Sequence, residues 1–376
     1  MSKRQGIPSM TGVRGVAALW VLVFHSGQNA GAIFGLPVLE KASLFVNGWR
    51  GVDLFFMLSG FILMYAHERD FVVLRWASIE RFARLRFARI YPLNTVVLLG
   101  ITVVVLLFPD YVSWVRSGFG PLSYSPGAFA STLFLSTRWF LPDMGDFNQP
   151  VWSLSLEILG YAAFPFLAYC LQRVTQKKTL IVLASLSLIG SFLTLRHTSW
   201  QADITQIAWV RMASCFLTGI AAYRCWVLTA ETGKRWAAGI TYLSVLGIFM
   251  SASGIFNHGK AFHGDIQDNF LFAFLLYGLA FRIGFIDKFL SSRLILFLGE
   301  ISFPIYLVHV TPLLWLRYYI SVNGANYSAL TKLTFLLCWA FGSILLAALL
   351  HHAVEMPFHA WGRRWASALE GEKQSP

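Results

Sequence analysis

Met10-Thr-Gly-Val-Arg-Gly-Val-Ala-Ala-Leu-Trp-Val-Leu-Val-Phe-His25 is an apolar run that carries a guanidinium, Arg14, near its start and an imidazole, His25, at its end. Read as an α-helix, the eleven steps from Arg14 to His25 make three turns, so both side chains face one way, about 16 Å apart. Both groups are costly at bilayer depth, and an ionisable residue there points to function. The plainer account is an arginine snorkelling to the headgroups and a histidine bonded to a nearby carbonyl. The rest of the chain decides between the two.

The composition is that of a polytopic membrane protein. The 376 residues are 56% hydrophobic and 13% charged, against about a quarter charged in soluble domains, and the mean hydropathy is +0.60. The 33 Phe and 14 Trp suit lipid-facing surfaces and interfacial belts. A net charge of +12 would suggest nucleic acid in a soluble protein. In a membrane chain it reports orientation, and no nucleic-acid partner is expected. Cys170, Cys215, Cys225 and Cys338 lie in apolar runs without metal-ligand spacing, so they read as core residues and no metal is expected. Lys3 and Arg4 imitate the start of a signal peptide, but Arg14 interrupts the run that follows and no small-x-small cleavage site appears, so the first helix is expected to be retained. A single membrane domain over 1–376 is expected.

Apolar runs of spanning length fall near 9–30, 50–67, 91–108, 151–171, 179–197, 206–228, 236–256, 268–285, 294–320 and 331–353. The predicted fold is an all-α integral membrane protein, a bundle of about ten transmembrane helices. With the N-terminus inside, 20 of the 30 basic residues fall on the cytoplasmic side, so both termini are assigned there. Residues 68–90 alternate arginines with Phe71, Leu74, Trp76, Phe82, Leu85 and Phe87 at helical spacing, which predicts an amphipathic cytoplasmic segment lying in the interface. Residues 109–150 form the longest outer connection, in which 128–141 is apolar but too short to span; loops of this length are usually functional.

Placed by this topology, four spans bring ionisable groups to similar depth: His25, Asp53, Glu157, and Tyr306 with His309. A histidine beside a carboxylate is an acid/base unit, since the acid fixes the tautomer while the free nitrogen takes a proton from a hydroxyl. Asp53 and Glu157 are both candidates for that partner. No Gly-x-Ser-x-Gly elbow or His-Glu-x-x-His motif supports a serine hydrolase or a zinc site. Arg86 and Arg89 share a helix face, and guanidinium forks suit phosphate oxygens. With Arg14 they suggest a phosphate-rich molecule held at the cytoplasmic face with a thin arm rising into the bundle. Membrane lipids are the plainer partner for these arginines.

Six motifs in order carry a family resemblance: Arg14-x10-His25, Gly51-Val-Asp-Leu-Phe-Phe-Met-Leu-Ser-Gly60, Arg86-x-x-Arg89 with Ile-Tyr-Pro92, Trp152-Ser-Leu-Ser-Leu-Glu157, Gly299-Glu-Ile-Ser-Phe-Pro-Ile-Tyr-Leu-Val-His309 and Glu355-Met-Pro-Phe358. Together they resemble the membrane acyltransferase 3 family, whose members O-acylate cell-surface sugars, antibiotics and lipids; the chain looks like the stand-alone kind, without an added periplasmic hydrolase-like domain. Thr11-Gly-Val-Arg14 departs from the family in lacking an acidic residue before the arginine. The resemblance implies a bacterial inner-membrane enzyme with acetyl-CoA or another acyl-CoA as donor. It further implies His25 as the catalytic residue, Arg14, Arg86 and Arg89 as donor-binding groups, and a carbohydrate or lipid-linked glycan as acceptor. Tyr306 and His309 are grouped with the donor-binding residues, and Asp53 and Glu157 with His25. Transfer is either direct, with His25 as base, or through an acyl-histidine. The rival class is a transporter or flippase of a small anion or lipid-linked sugar, which also uses intramembrane charges.

Overall fold

The structure, a computed structural model, describes residues 6–28, 30–118, 122–139, 145–197, 204–254 and 266–371. Lys3, Arg4, Gly120, Pro121, Pro142, Lys260 and Lys373, which bear on the topology, lie outside the described residues. Among the described residues the chain is helical, and its only β-type pairing is an isolated bridge between Leu122 and Asp146. The helices of seven residues or more are, in chain order, α1 (Pro8–Gly27), α2 (Gly51–His67), α3 (Trp76–Leu107), α4 (Pro109–Gly118), α5 (Pro126–Leu133), α6 (Val151–Leu171), α7 (Lys177–His197), α8 (Ile204–Leu228), α9 (Ala237–Ala252), α10 (Ile266–Leu279), α11 (Arg293–Glu300), α12 (Ser302–Val308), α13 (Val310–Asn323), α14 (Ala329–Leu350) and α15 (Met356–Gly371).

Among the described residues, four helical runs are long and apolar enough to cross a membrane, at 43–71, 76–107, 151–171 and 329–368, and α11 with α12 and α13 makes a fifth if counted as one bent span. That supports a multi-span membrane protein but not a count of ten. The boundaries differ from the sequence reading for physical reasons. Residues 76–90 do not form a segment separate from the span after them: α3 runs 32 residues through Pro92, about 48 Å at 1.5 Å per residue, longer than a hydrocarbon core of about 30 Å. Its arginine-bearing first half and its apolar second half are one rod. The 268–285 run stops at Leu279, and Arg282 takes a positive φ of 59°. The 294–320 run breaks at Ile301 and again at His309, where Pro312 lacks the N–H that would bond the Val308 carbonyl.

The chain divides into two compact units, residues 1–21, 46–75 and 162–300, and residues 22–45, 76–161 and 301–376. In the first, α2 and α8 cross at touching distance. A Cβ on Gly60 would fall onto the Phe216 carbonyl oxygen, and one on Gly219 onto that of Met57. Close approach of this kind is how helices associate where lipid removes the hydrophobic drive. Gly219→Leu is therefore expected to cost about 3 kcal/mol or more by overpacking and to remove the monodisperse peak after detergent extraction. Gly239→Leu, at a glycine with open space around it, is expected to leave that peak unchanged.

In the second unit, α15 lies along α3. Arg84 donates to the Trp365 carbonyl at 2.9 Å and stands over the Trp365 ring at 4.8 Å, and Phe87 meets the same ring. Between α14 and α15, His351–Glu355 forms a π-helical turn, a local widening often found at functional sites. In the long connection, α5 is capped by Ser125, whose hydroxyl accepts the Ala128 N–H at 3.1 Å, and Asn94 of α3 donates to the Thr132 carbonyl at 3.0 Å. Beyond it, the buried pair Arg138–Asp146 closes at 2.7 Å. The apolar 128–141 segment thus starts as a two-turn helix tied to α3.

Candidate active site

His25 stands in the last turn of α1 and is half-buried. Its Nδ1 lies 3.2 Å from Oε1 of Gln28, three residues on along the same face. Arg317 of α13 fixes the end of this helix, donating through Nη2 to the carbonyls of His25 at 2.6 Å and Gln28 at 2.5 Å. These are two of the carbonyls that a helix C-terminus leaves without partners, and a cation there is also favoured by the helix dipole. Arg317 therefore holds the backbone that carries His25 and leaves its ring free of that duty.

The second imidazole of the site is His309, at the one-residue break between α12 and α13, with its ring centroid 5.0 Å from that of His25. Its Nδ1 lies 2.8 Å from the Tyr306 carbonyl and 3.2 Å from that of Ile305. A carbonyl only accepts, so Nδ1 carries the hydrogen and neutral His309 presents Nε2 as a bare lone pair. His309 is 1% exposed, and its Nε2 is buried without a hydrogen-bond partner. Trp339 of α14 holds the break from behind, donating to the His309 carbonyl at 3.0 Å.

The start of α6 completes this cluster. Ser153 and the Tyr306 hydroxyl are 2.7 Å apart, and Asn148 donates to the Leu307 carbonyl at 3.0 Å. Two motifs far apart in the sequence, Trp152-Ser-Leu-Ser-Leu-Glu157 and Gly299–His309, meet here through Ser153 and Tyr306. Glu157 follows Ser153 by four residues, one turn or about 6 Å along α6, and belongs to a different cluster. It accepts a 2.6 Å hydrogen bond from Tyr161. The Arg86 guanidinium stands 5.8 Å from the Tyr161 ring centroid and 5.5 Å from that of Phe82, and the charges of Glu157 and Arg89 both act on Arg86. Arg86 and Arg89 in turn act on His359 of α15. Near His359, buried Glu355 lies 2.7 Å from His351 and 3.8 Å from His359.

Of the sequence candidates, His25, Tyr306 and His309 come together, and Glu157, Arg86 and Arg89 come together one helical turn along α6. Asp53 and Arg14 lie in the first unit. There Asp53 is paired with Arg211 of α8 at 2.9 Å, and Arg211 in turn lies over the Trp49 ring at 4.9 Å. Neighbouring Arg50 pairs with Asp268 and donates to Ser251 at 2.9 Å. Arg14 is half-buried on α1. The hydrogen-bond partner of the His25 ring is an amide, and each of the two carboxylates expected beside it has a partner of its own. Gln28, Arg317, Asn148 and Ser153 are not singled out by sequence reasoning. The one available signal is spacing: Gln28 follows His25 by three residues, and Arg317 sits inside an apolar run.

The acyltransferase 3 family model, described as an acyltransferase domain, matches residues 7–352 and so runs through both units. Among curated proteins the chain is 36% identical over 169 residues to Acyltransferase MdmB of Streptomyces mycarofaciens, covering 42% of this chain and 38% of that one. It is 21% identical over 395 residues to O-acetyltransferase OatA of Staphylococcus aureus, covering 98% of this chain and 59% of that one. It is also 32% identical over 184 residues to Protein 2 in picA locus of Rhizobium radiobacter, covering 46% of this chain and 87% of that one. The matches thus span 38% and 59% of the first two relatives, in both cases less than two thirds. No solved structure matches it.

Proposed function

Because the chain belongs to the acyltransferase 3 family, we propose that it is an integral-membrane O-acyltransferase, moving an acyl group from cytoplasmic acyl-CoA to a hydroxyl of an extracytoplasmic or lipid-linked carbohydrate. The name of the OatA relative favours acetyl. A ten-span topology in a bacterial inner membrane, with both termini cytoplasmic, is part of the same reading. The observation that carries it is the pairing of the two clusters through α6: Ser153 touches the histidine group, and Glu157, one turn on, is joined to the arginine group through Tyr161. An arginine cluster suits the phosphates of CoA. An acyl thioester anchored there extends toward the imidazoles, and Arg14, on the same helix as His25, is read as a further donor-binding group. His25 is the catalytic histidine, either taking the acceptor proton as base or carrying the acyl group. Holding donor and acceptor together is itself a large part of such catalysis.

The donor half is tested with full-length protein in lipid nanodiscs. Arg86→Ala with Arg89→Ala is expected to weaken acetyl-CoA binding about 10- to 100-fold by calorimetry, at about 1.5 to 3 kcal/mol for charge-assisted contacts. The maximal rate at saturating donor should change far less. Unchanged affinity in the double variant, or no acetyl-CoA binding by the wild type, rejects the donor assignment.

A further inference from the structure

Direct transfer needs one base, and His25 alone would suffice. The structure holds a second imidazole beside it, and the fold fixes the state of that ring from two sides. Two main-chain carbonyls hold the hydrogen on Nδ1, and Trp339 secures the backbone, leaving Nε2 of His309 buried, bare and unpartnered next to the His25 ring. A buried lone pair without a donor costs free energy unless some bound group supplies one.

We propose that His309 is a second catalytic residue, the base toward the acceptor hydroxyl, while His25 carries the acyl group. This rests on the acyl-transfer reading above and decides between its two chemical routes. In the first step Nε2 of His25 attacks the thioester carbonyl, the C–S bond breaks, and CoA leaves as thiolate, giving an acyl-imidazolium. Acylated His25 has no free nitrogen with which to accept a proton. In the second step Nε2 of His309 takes the hydroxyl proton as the acceptor oxygen attacks the acyl carbon. The N–C bond breaks, His25 returns neutral, and the proton on His309 passes to the CoA thiolate or to water. One acyl group and one proton have moved, and both imidazoles are restored. Gln28 holds the hydrogen on His25 Nδ1, which keeps Nε2 nucleophilic. Around the pair, Arg317 donates to the His25 carbonyl and the Tyr306 hydroxyl meets Ser153.

The test uses two acyl donors with water as the acceptor. Acetyl-CoA needs the arginine cluster and p-nitrophenyl acetate does not. His309→Gln, and His309→Asn, which retains a donor for the Tyr306 carbonyl, are expected to keep a burst of about one product per protein. Their steady-state turnover should fall about 10²-fold or more, with one acetyl group accumulating on His25 by peptide mass spectrometry. Added imidazoles should restore turnover in proportion to their basicity, a response no packing role would give. An unchanged steady state, or loss of burst and turnover together in both variants, overturns the second base. If wild type turns over the nitrophenyl ester in this pattern but not acetyl-CoA, the acyl-CoA reading fails while the histidine pair stands. Activity on neither donor overturns both.

Discussion

His25→Ala is expected to reduce acyl transfer about 10³-fold or more, with the protein still folded and still binding acetyl-CoA. The size follows from the loss of the group that carries the acyl between donor and acceptor. The survival of the fold follows from which atoms hold this end of α1. Arg317 bonds the carbonyls of residues 25 and 28, which an alanine at 25 leaves in place, and Trp339 bonds the main chain of His309. The alanine removes the 3.2 Å hydrogen bond to Gln28 and the packing of the imidazole against Phe24 and His309. Thiol release from acetyl-CoA measures the rate, and calorimetric affinity with thermal melting controls for binding and fold. Retention of more than about a tenth of the wild-type rate would remove His25 from the chemistry. Gln28→Ala, which frees the ring to rotate and to change tautomer, is expected to lower the same rate about 10-fold without touching donor affinity.

The family, and the residues from which the candidate site is proposed, are legible in the sequence because both are carried by local spacing. Arg14 and His25 sit on one helix as the ten-residue interval requires, and α1 runs unbroken from Pro8 to Gly27. Arg86 and Arg89 share a face of α3 as their three-residue separation demands. The pairings between helices are not legible, because in a membrane bundle depth is readable from topology while azimuth is not. By depth alone Asp53, Glu157 and His309 are equally able to face His25, and only His309 does so among the residues of the second unit. Sequence reasoning finds this second histidine but groups it with the donor site. Its tautomer is set by the turn at Tyr306, which depends on the helix breaking before Pro312, a tertiary outcome in an otherwise uninterrupted apolar run. The 76–90 segment departs from expectation for the opposite reason. Its amphipathic pattern reads as a separate interfacial helix, yet Pro92 is accommodated inside α3 and the pattern belongs to one end of a rod.

Asp53 provides the second large effect, and it separates a structural carboxylate from a catalytic one. Asp53 and Arg211 form an ion pair at 2.9 Å with side chains 6% and 15% exposed, inside the α2 and α8 crossing set by Gly60 and Gly219. Removing one member of such a pair strands the other charge away from water, a cost of roughly 3 to 5 kcal/mol, which is a large part of the stability of an ordinary domain. Asp53→Ala is therefore expected to give little folded protein after extraction and a melting temperature well below the wild type. Arg211→Met alone should behave similarly, because it strands the carboxylate. The double variant Asp53→Leu with Arg211→Met removes both charges together and replaces them with apolar groups of similar volume, so it should recover most of the yield and melting temperature. Activity then discriminates. If Asp53 acts only by pairing with Arg211, the refolded double variant releases CoA at a rate within about threefold of wild type. If Asp53 orients the catalytic histidine, the double variant is stable and nearly inactive, and Asp53→Asn alone shows the same loss with a shifted pH profile. The closed pair with Arg211, together with the amide on His25 Nδ1, favours the first outcome.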